Sequence, residues 1–422
     1  MNYRSIKPLH RPPAGVVTLP GSKSITNRAL VVAALGNGVS RLVGGLQAND
    51  TVVMRDGLRA LGINLDDVDD PWLVEGTGGT LRPGLVTING GASGTTVRFL
   101  TAVAALASGP ITIDGTERMR RRPIGELADA LTVLGCRVGF AGETGFLPLS
   151  VRGGGLQGGP VTIDASRSSQ FASALLMIGP LLPEGLTLEL AGIVVSRPYL
   201  TSTIEVMRAF GGRVDETEQV LAVSTGGYRK TSFEIEADAS AAAYPLLAAA
   251  ITGGTVRIDG ISEGSTQPDW KILDVLVEMG CLLSRGAGHI TLTGPEPGDM
   301  TPVTVDLAGA PDAAVAVAVG AMFARGTSRL SGLSTLRLKE SDRLTAVATE
   351  IGRMGGRALI AEDMLVIEGG HLHGARVETY DDHRIAMAFA VAGLAIDGVE
   401  ITNPDCVNKT WPGFWDMLES LS

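Results

Sequence analysis

The sequence is poor in cysteine, and its cysteines form no ligand or disulfide pattern. Only three of the 422 residues are cysteine, namely Cys136, Cys281 and Cys406, an odd number at wide spacing with no CxxC or Cys/His ligand pattern. Cys136 and Cys281 each follow a glycine in a strand-like stretch, where a buried free thiol is expected. The cysteine usage therefore predicts a reducing compartment.

Positive charge and long apolar segments are also scarce. Lys and Arg number 35 against 45 Asp and Glu, which gives a net charge of −10. An acidic chain disfavours nucleic acid and anionic membranes as partners, but it allows a local basic pocket for a small anion. Polar residues or glycine interrupt every Ala-rich run before it reaches membrane-spanning length, and residues 1–13 lack the apolar core of a secretory signal. We expect a cytoplasmic protein.

No metal site is complete in the sequence. His371 and His373 have the HxH spacing of two metal ligands on one strand, but no third ligand cluster accompanies them. His10 and His289 have no partner pattern. We therefore expect no metal ion.

What the chain does have is a repeat. A polar cluster, an Ala-rich apolar run and a glycine recur six times, roughly every 72 residues. The copies span residues 21–38, 91–109, 166–185, 238–253, 311–326 and 381–398. Each cluster contains the Ser, Asp or Asn typical of a helix N-cap, and each final glycine fits the left-handed residue after a helix. The repeat predicts six helix N-termini, which are potential anion sites.

A second series of predicted helices alternates with the first. Its copies, each leading through a glycine into a strand, span 50–65, 123–138, 198–214, 268–283, 340–358 and, truncated, 412–422. Each repeat then has two helices and about four short strands, too little to bury its own apolar face. The sequence predicts an α/β protein of two domains, with three repeats sharing each core and no GxGxxG or P-loop motif.

In the first half, cations and hydroxyls lie at the predicted helix starts. Lys23, Ser24 and Arg28 lie within about one and a half helical turns, which favours an anion site over solvated charges on a capped helix. The arginine-rich loop 118–122 reads as a substrate clamp in an acidic protein, and Arg122, next to a helix start, is the preferred candidate; a solvated loop is the alternative for the others.

Further hydroxyl groups follow in the third repeat. Ser168, Ser169 and Gln170 offer donors suited to a phosphate, although an N-cap with a second serine explains the pattern about equally well. Ser196, followed by Tyr199, adds a similar hydroxyl one element later.

In the second half, carboxylates join the cations. Asp312 alone is most simply the N-cap of the helix that follows it. Residues 339–343 and 380–384 mix both charge signs at predicted helix starts. Such pairs either transfer protons near a bound anion or form surface ion pairs of little energetic value.

In combination, these clusters resemble the EPSP synthase (3-phosphoshikimate 1-carboxyvinyltransferase) family of enolpyruvyl transferases. Each motif is weak alone, but the set occurs in the family's order over nearly the whole chain. The motifs are residues 20–30, 94–95, 118–124, 168–170, 311–312, 339–343, 382–384 and 409–412.

The resemblance implies transfer of the enolpyruvyl group of phosphoenolpyruvate to the 5-hydroxyl of shikimate 3-phosphate, without a metal or organic cofactor, by a monomer. It implies an inside-out α/β barrel of two domains, each with three βαβαββ repeats, that close on a cleft. Residues 19–237 would bind mainly shikimate 3-phosphate. Residues 1–18 and 238–422 would carry the catalytic carboxylates and phosphoenolpyruvate-binding cations.

The resemblance also implies site residues. For shikimate 3-phosphate they are Lys23, Ser24, Arg28, Ser168, Ser169, Gln170, Ser196, Tyr199, Asp312, Thr335 and Lys339. For phosphoenolpyruvate they are Lys23, Gly94, Arg122, Gln170, Arg343, His383, Arg384 and Lys409. The implied catalytic residues are Asp312 as the base, with Glu340 and Lys23 as further proton-transfer groups.

Two positions depart from the family pattern, and a third keeps the glycine that the family has there. Ala92 and Thr335 stand at or near positions where the family commonly has asparagine, which puts one contact on each substrate in question. Gly94 is retained and leaves room beside phosphoenolpyruvate, so we expect inhibition by its analogue glyphosate.

The two alternatives are a related transferase and a protein of a different function class. The sister transferase that acts on UDP-N-acetylglucosamine typically has a cysteine in the loop where this chain has residues 117–123, and no cysteine occurs there. A non-catalytic repeat scaffold would keep the Ala-rich helices but has no reason to place charges so selectively at their starts.

Overall fold

The chain divides into two compact units. A computed structural model describes residues 2–81, 85–192, 194–262 and 264–421, so Met1 and Ser422, the ends of the predicted second domain, lie outside the described part. Unit 1 comprises Met1–Pro20 and Glu236–Ser422, and unit 2 comprises Gly21–Ile235. Unit 2 is therefore a continuous segment inserted into unit 1.

Helices and short strands alternate along both units. The helices are α1 (Lys23–Leu35), α2 (Asn49–Ala60), α3 (Gly94–Ala104), α4 (Glu117–Arg120), α5 (Gly125–Val133), α6 (Ser169–Ile178), α7 (Arg197–Ala209), α8 (Ala239–Thr252), α9 (Lys271–Glu278), α10 (Ala314–Ala321), α11 (Arg343–Arg353), α12 (His383–Ala392) and α13 (Phe414–Ser420). Short 3-10 helices span Gly179–Leu181, Pro268–Trp270, Ser334–Leu338 and Pro404–Lys409.

The strands are two to eight residues long. They are β1 (Tyr3–Ser5), β2 (Ala14–Val17), β3 (Gly36–Val43), β4 (Asn64–Asp66), β5 (Trp72–Thr77), β6 (Val86–Asn89), β7 (Pro110–Asp114), β8 (Arg137–Phe140), β9 (Leu149–Arg152), β10 (Gly159–Asp164), β11 (Leu186–Ala191), β12 (Val214–Glu216), β13 (Val220–Val223), β14 (Tyr228–Arg229), β15 (Ser232–Glu234), β16 (Thr255–Asp259), β17 (Leu282–Gly286), β18 (His289–Thr293), β19 (Thr304–Asp306), β20 (Thr327–Ser331), β21 (Arg357–Ala361), β22 (Met364–Glu368), β23 (Arg376–Val377) and β24 (Glu400–Thr402).

Within the described ranges these strands form three small sheets in each unit. In unit 2 the strand orders are β14–β3–β5–β4, with β15 also on β3, then β6–β7–β9–β8 and β10–β11–β13–β12. In unit 1 they are β2–β16–β18–β17, β19–β20–β22–β21 and β23–β24–β1. Every sheet combines parallel and antiparallel pairing, for example parallel β10–β11 next to antiparallel β11–β13. Parallel neighbours need a crossover, and α3, α6, α10 and α12 supply it in four sheets. The fold is mixed α/β.

The Ala-rich helices form the centre of each core. In unit 2, α1, α3 and α6 pack against one another, and in unit 1, α8, α10 and α12 do the same. Every residue of α3 and of α10 is buried, as expected for α10, which is apolar on all sides. Small alanine side chains let these helices approach closely.

The predicted helix starts are confirmed at five of the six repeats. Ser22, Ser93, Ser168, Asp238 and Asp382 are the N-caps of α1, α3, α6, α8 and α12, and each side chain accepts a backbone N–H of the first turn. The N-cap interpretation of Asp312 is wrong. Helix α10 begins at Ala314 after Ala313, with no side-chain cap, because the Asp312 carboxylate is engaged by cations from other elements.

The predicted helix ends are mostly wrong. Gly253, with φ 70°, directly follows its helix as expected. The other glycines come later: α1 ends at Leu35 and α12 at Ala392, whereas Gly38 and Gly398 have their positive φ beyond those ends. The intervening residues turn the chain toward the next strand, so the glycine serves that turn or strand instead of the helix cap.

Candidate functional site

In unit 2, polar contacts join the N-termini of α3 and α6. Gln170, in the first turn of α6, donates through Nε2 to Thr95 Oγ1 at 3.4 Å in the first turn of α3. Its Oε1 accepts from Arg98 Nη1 at 2.6 Å, and Arg98 Nη2 donates to the Pro123 carbonyl at 3.2 Å. The arginine-rich loop before α5 is thereby held against both helix starts.

Arg28 is a buried cation whose described partners are all neutral. Its guanidinium donates to Thr203 Oγ1 at 2.7 Å, to the carbonyls of Ser24 (2.9 Å) and Tyr199 (3.2 Å), and to Ser173 Oγ at 3.5 Å. Only 2% of the residue is exposed, and no carboxylate of the described residues lies within salt-bridge distance. Burial lowers the pKa of Arg28 to about 10. An anionic ligand would supply the counter-charge that the protein withholds.

Lys23 and Asp50 form a partly buried ion pair at 3.4 Å between Nζ and Oδ2. Lys23 begins α1, and Asp50 lies in the first turn of α2, where the helix dipole stabilises a carboxylate. The ammonium group is thus held at the start of the most polar repeat.

Arg122 lies against the first residue of α3. A Cβ atom on Gly94 would lie 2.9 Å from both terminal nitrogens of the Arg122 guanidinium, and Arg122 is buried. Arg120 and Arg121, in contrast, form exposed ion pairs with Asp114 and Glu117. Of these three arginines, only Arg122, which the sequence analysis preferred, lies against a helix start.

The serine residues lie at the starts of α6 and α7. Ser168 Oγ accepts the Gln170 N–H at 3.2 Å, which leaves its own O–H available as a donor. Ser169 is buried in the first turn of α6. Ser196 precedes α7 with a left-handed backbone, φ 56°. Arg28 bonds both α6 and α7, so these two helix starts belong to one cluster.

In unit 1, Arg343 is the centre of a buried charge network. It donates from Nη1 to Asp312 at 3.0 Å, from Nη2 to Glu340 at 2.8 Å, and from Nε to Asp382 at 2.8 Å. Burial lowers the pKa of Arg343, but Asp382, Glu340 and Asp312 outweigh burial and raise it. Arg343 stays charged at every physiological pH.

Asp312 is surrounded by three cations. Its Oδ1 lies 3.4 Å from Lys339 Nζ and accepts from Arg343 Nη1, while its Oδ2 accepts from Arg384 Nη2 at 2.9 Å. Opposite charges stabilise the ionised carboxylate. Lys409 Nζ lies 3.7 Å from the neighbouring carboxylate, Glu340.

Arg384 also reaches the fourth repeat. Its Nη2 donates to Ser240 Oγ at 3.2 Å in the first turn of α8. His383 begins α12 and is buried. Thr335, in the 3-10 helix Ser334–Leu338, is buried with no hydrogen-bond partner for Oγ1 among the described residues. The network therefore gathers the starts of α8, α10, α11 and α12.

Sequence reasoning missed three of these participants. Asp50, Arg98 and Ser240 pair with residues from other helices, and no local motif reveals such contacts. Arg98 carried a signal, because it is the one charged residue of an otherwise neutral helix α3. Ser240, in the fourth repeat start, was not among the predicted site residues, although its Oγ accepts from Arg384.

Two further expectations concern metals and membranes. In residues 2–81, 85–192, 194–262 and 264–421, no group of three or more His, Cys, Asp or Glu side chains is placed to hold a metal ion. The helices in the same ranges are all too short or too polar to cross a bilayer.

Cys136 and Cys281 are free and buried, as predicted.

Comparisons with known proteins find extensive similarity. Residues 10–418 match the family model described as EPSP synthase (3-phosphoshikimate 1-carboxyvinyltransferase). The 3-phosphoshikimate 1-carboxyvinyltransferase of Methanoculleus marisnigri is 40% identical over 402 residues, 94% of each chain. That of Sulfurovum sp. is 39% identical over 431 residues and covers both chains fully. A solved EPSP synthase structure from Acinetobacter baumannii has a TM-score of 0.83 at 26% identity, covering 99% of this chain and 98% of that one.

Proposed function

Because the chain belongs to the EPSP synthase (3-phosphoshikimate 1-carboxyvinyltransferase) family, we propose that it joins phosphoenolpyruvate to shikimate 3-phosphate. The products are 5-enolpyruvylshikimate 3-phosphate and inorganic phosphate. The observation that carries the proposal is the contact of the Asp312 carboxylate with Lys339, Arg343 and Arg384. These cations, close to several helix starts, favour the ionised form of the carboxylate.

The chemistry requires a base and an acid near bound anions. Protonation of carbon 3 of phosphoenolpyruvate makes carbon 2 electrophilic, and the 5-hydroxyl oxygen attacks carbon 2 as its proton leaves. Loss of a proton from carbon 3 and of phosphate from carbon 2 then restores the double bond. Asp312 takes the hydroxyl proton, and Glu340 and Lys23 are the groups that move the proton at carbon 3.

The cations bind and orient the two anionic substrates. In unit 2, Lys23, Ser24, Arg28, Gln170 and Tyr199 bind shikimate 3-phosphate, with its phosphate on Ser168, Ser169 and Ser196. Arg28 suits the carboxylate because it is buried without an acidic partner. In unit 1, Asp312, Thr335 and Lys339 complete the contacts to the same substrate.

Phosphoenolpyruvate is bound by cations from several helix starts. The cations are Lys23, Arg122, Arg343, Arg384 and Lys409, and His383, Gly94 and Gln170 complete the set. Such a set offsets the repulsion between two anions and fixes their orientation before reaction. This protein would act as a cytoplasmic monomer, and we propose for it the inside-out barrel of three βαβαββ repeats per domain.

Phosphate release tests the assignment. Purified protein is incubated with phosphoenolpyruvate and either shikimate 3-phosphate or UDP-N-acetylglucosamine. We expect phosphate only with shikimate 3-phosphate; release with only the sugar nucleotide would overturn the proposal.

A matched pair of lysine variants separates an enzyme from a binding scaffold. Lys23→Met removes the ammonium at the start of α1 and should abolish phosphate release without unfolding the protein. Lys230→Met changes an exposed lysine of the same unit and should leave turnover unchanged. Equal activity of both variants would contradict the role of Lys23.

A further inference from the structure

The start of α12 follows a backbone turn that is unfavourable for ordinary residues. Tyr380 and Asp381 are consecutive and have φ values of 54° and 56°, in the left-handed region. A side chain with a Cβ atom rarely adopts this conformation, and two in succession persist only where surrounding contacts hold them. Asp382, His383 and Arg384 follow immediately, so this turn sets where their side chains lie.

One buried carboxylate of α11 bonds the turn, and Asn403 Nδ2 bonds it from another segment by donating to Asp381 Oδ1 at 2.9 Å. Glu350 Oε1 accepts from Tyr380 Oη at 2.8 Å, and Glu350 Oε2 accepts from the Glu378 backbone N–H at 3.2 Å. The Glu350 side chain is 0% exposed, although its Oε2 lies 3.5 Å from Arg353 Nε. The Tyr380 N–H in turn donates to Glu378 Oε1 at 3.4 Å. Glu378 and Tyr380 are therefore both attached to Glu350 of α11.

Helix α11 contacts this segment at two points. Arg343, at its first residue, binds Asp382, and Glu350 binds Tyr380. Residues seven apart on a helix lie on the same face, about two turns from each other. The first contact belongs to the charge network described above. The second lies outside it and has no part in the proposed chemistry.

We infer that Glu350 and Tyr380 form a latch that holds the 378–382 turn and so positions His383 and Arg384 for phosphoenolpyruvate. Both are positioning residues, since they act through the backbone of α12. The inference rests on the proposed function for the identity of the ligand. It adds to that function two residues that no chemical step requires.

The protonation states suit a latch. Burial, and then the hydrogen bond to Glu350, raise the pKa of Tyr380 to about 12, so its hydroxyl remains a donor. Burial also raises the pKa of Glu350, while the bonds from Tyr380 and Glu378 oppose that rise. The hydrogen bonds that hold the turn thus also stabilise the buried carboxylate.

Tyr380→Phe removes the latch bond and keeps the ring. We expect its KM for phosphoenolpyruvate to rise about tenfold, while its KM for shikimate 3-phosphate stays within about twofold of the wild type. Glu350→Gln keeps the shape of the side chain but cannot accept at both of its ends, so it should give the same split. A purely structural role would lower kcat with the folded fraction and leave both KM values unchanged.

Tyr228→Phe is the matched control. Tyr228 Oη donates to the Met177 carbonyl at 2.9 Å in the interior of unit 2, so the control likewise removes one tyrosine hydroxyl that donates a hydrogen bond, here a fully buried one. It should lower the melting temperature without changing the KM for phosphoenolpyruvate.

Two results contradict different claims. The latch alone would be overturned if the wild-type protein is active but the Tyr380→Phe variant shows no selective effect. That is the case if its KM for phosphoenolpyruvate stays within twofold of the wild-type value, or if both KM values rise equally. Wild-type protein that releases no phosphate from the two substrates would overturn the proposed function, and the role of the latch with it.

Discussion

Asp382 accepts two hydrogen bonds from the Arg343 guanidinium, from Nε at 2.8 Å and from Nη2 at 3.2 Å. The same carboxylate caps α12 by accepting the Arg384 N–H at 3.0 Å, and it also accepts the Ser341 hydroxyl at 3.0 Å. One buried side chain therefore fixes both a cation and the start of the helix that supplies the next cation. The geometry of this site depends on the planar guanidinium group of Arg343, which donates to one carboxylate through two nitrogen atoms.

Arg343→Lys should disable the protein although it keeps the charge. A lysine ammonium cannot bind Asp382 through two donors and still reach Asp312 and Glu340. We expect kcat/KM to fall at least about 100-fold and the free energy of unfolding to fall by about 3 kcal/mol, as for other broken buried pairs. Steady-state kinetics and urea unfolding measure the two effects.

Arg357→Lys is the control for that experiment. Arg357 pairs with Glu368 on the surface, with 84% of its side chain exposed. Its replacement should change stability by less than about 0.5 kcal/mol and leave kcat/KM unchanged. Equal effects at the two positions would contradict the importance of the two-donor contact between the Arg343 guanidinium and Asp382.

Asp312→Asn should remove the base and preserve the fold. The amide has nearly the same shape but cannot take the hydroxyl proton, so kcat should fall by about 10² to 10⁴. Asp299→Asn, at an exposed pair with Arg325, should retain full kcat. If Asp312→Asn kept more than about half of the wild-type kcat, the assignment of Asp312 as the base would be wrong.

Gly94→Ala should weaken phosphoenolpyruvate binding. The new Cβ atom would lie 2.9 Å from the Arg122 guanidinium, so that group must shift, and the KM for phosphoenolpyruvate should rise about tenfold. Gly142→Ala, in the same unit, is the control because a Cβ atom there meets nothing within 4 Å. An unchanged KM for phosphoenolpyruvate in Gly94→Ala would contradict the proposal that Arg122 binds this substrate.

Glyphosate should inhibit the wild-type protein in competition with phosphoenolpyruvate, because Gly94 leaves room for either molecule. Initial rates at several concentrations of both compounds test this. Undiminished turnover at saturating glyphosate would contradict the expectation.

The stabilising effect of the Tyr380 hydroxyl should depend on alkaline pH. Its pKa is raised from 10 to about 12, so the folded state keeps this proton over a range in which the unfolded state loses it. The stability it contributes is complete below pH 10 and is lost as the pH rises through 12. The difference in unfolding free energy between wild type and Tyr380→Phe should therefore shrink over that interval. A constant difference in urea unfolding would contradict this.

Local chemistry made much of the fold predictable. A serine or aspartate before an apolar run predicts a helix start because it satisfies backbone donors within a few residues, as Ser22 and Asp238 do here. The order of the motifs along the chain predicted the family, and the match over residues 10–418 confirms it.

Contacts between distant residues were not predictable in the same way. Asp312 has the local signature of an N-cap, but Lys339, Arg343 and Arg384 come from three later segments and compete for its carboxylate. The sequence predicted that Arg28 belongs to an anion site, but its burial follows from the packing of α6 and α7 around it. The roles of individual residues toward the substrates stay predictions.

The inserted arrangement of unit 2 has a consequence for protein engineering. Pro20 and Asp238 flank the insertion within unit 1, and the Asp238 N–H donates to the Pro20 carbonyl at 2.9 Å. Residues 21–235 contain all strands of their own three sheets, whereas β1 and β2 pair with β24 and β16, which both follow unit 2 in the chain. During synthesis, unit 2 is therefore complete before the first two strands acquire partners. We therefore expect that a linker of a few residues can replace unit 2 and that each unit folds as a separate chain, which the circular dichroism of the two purified proteins would test.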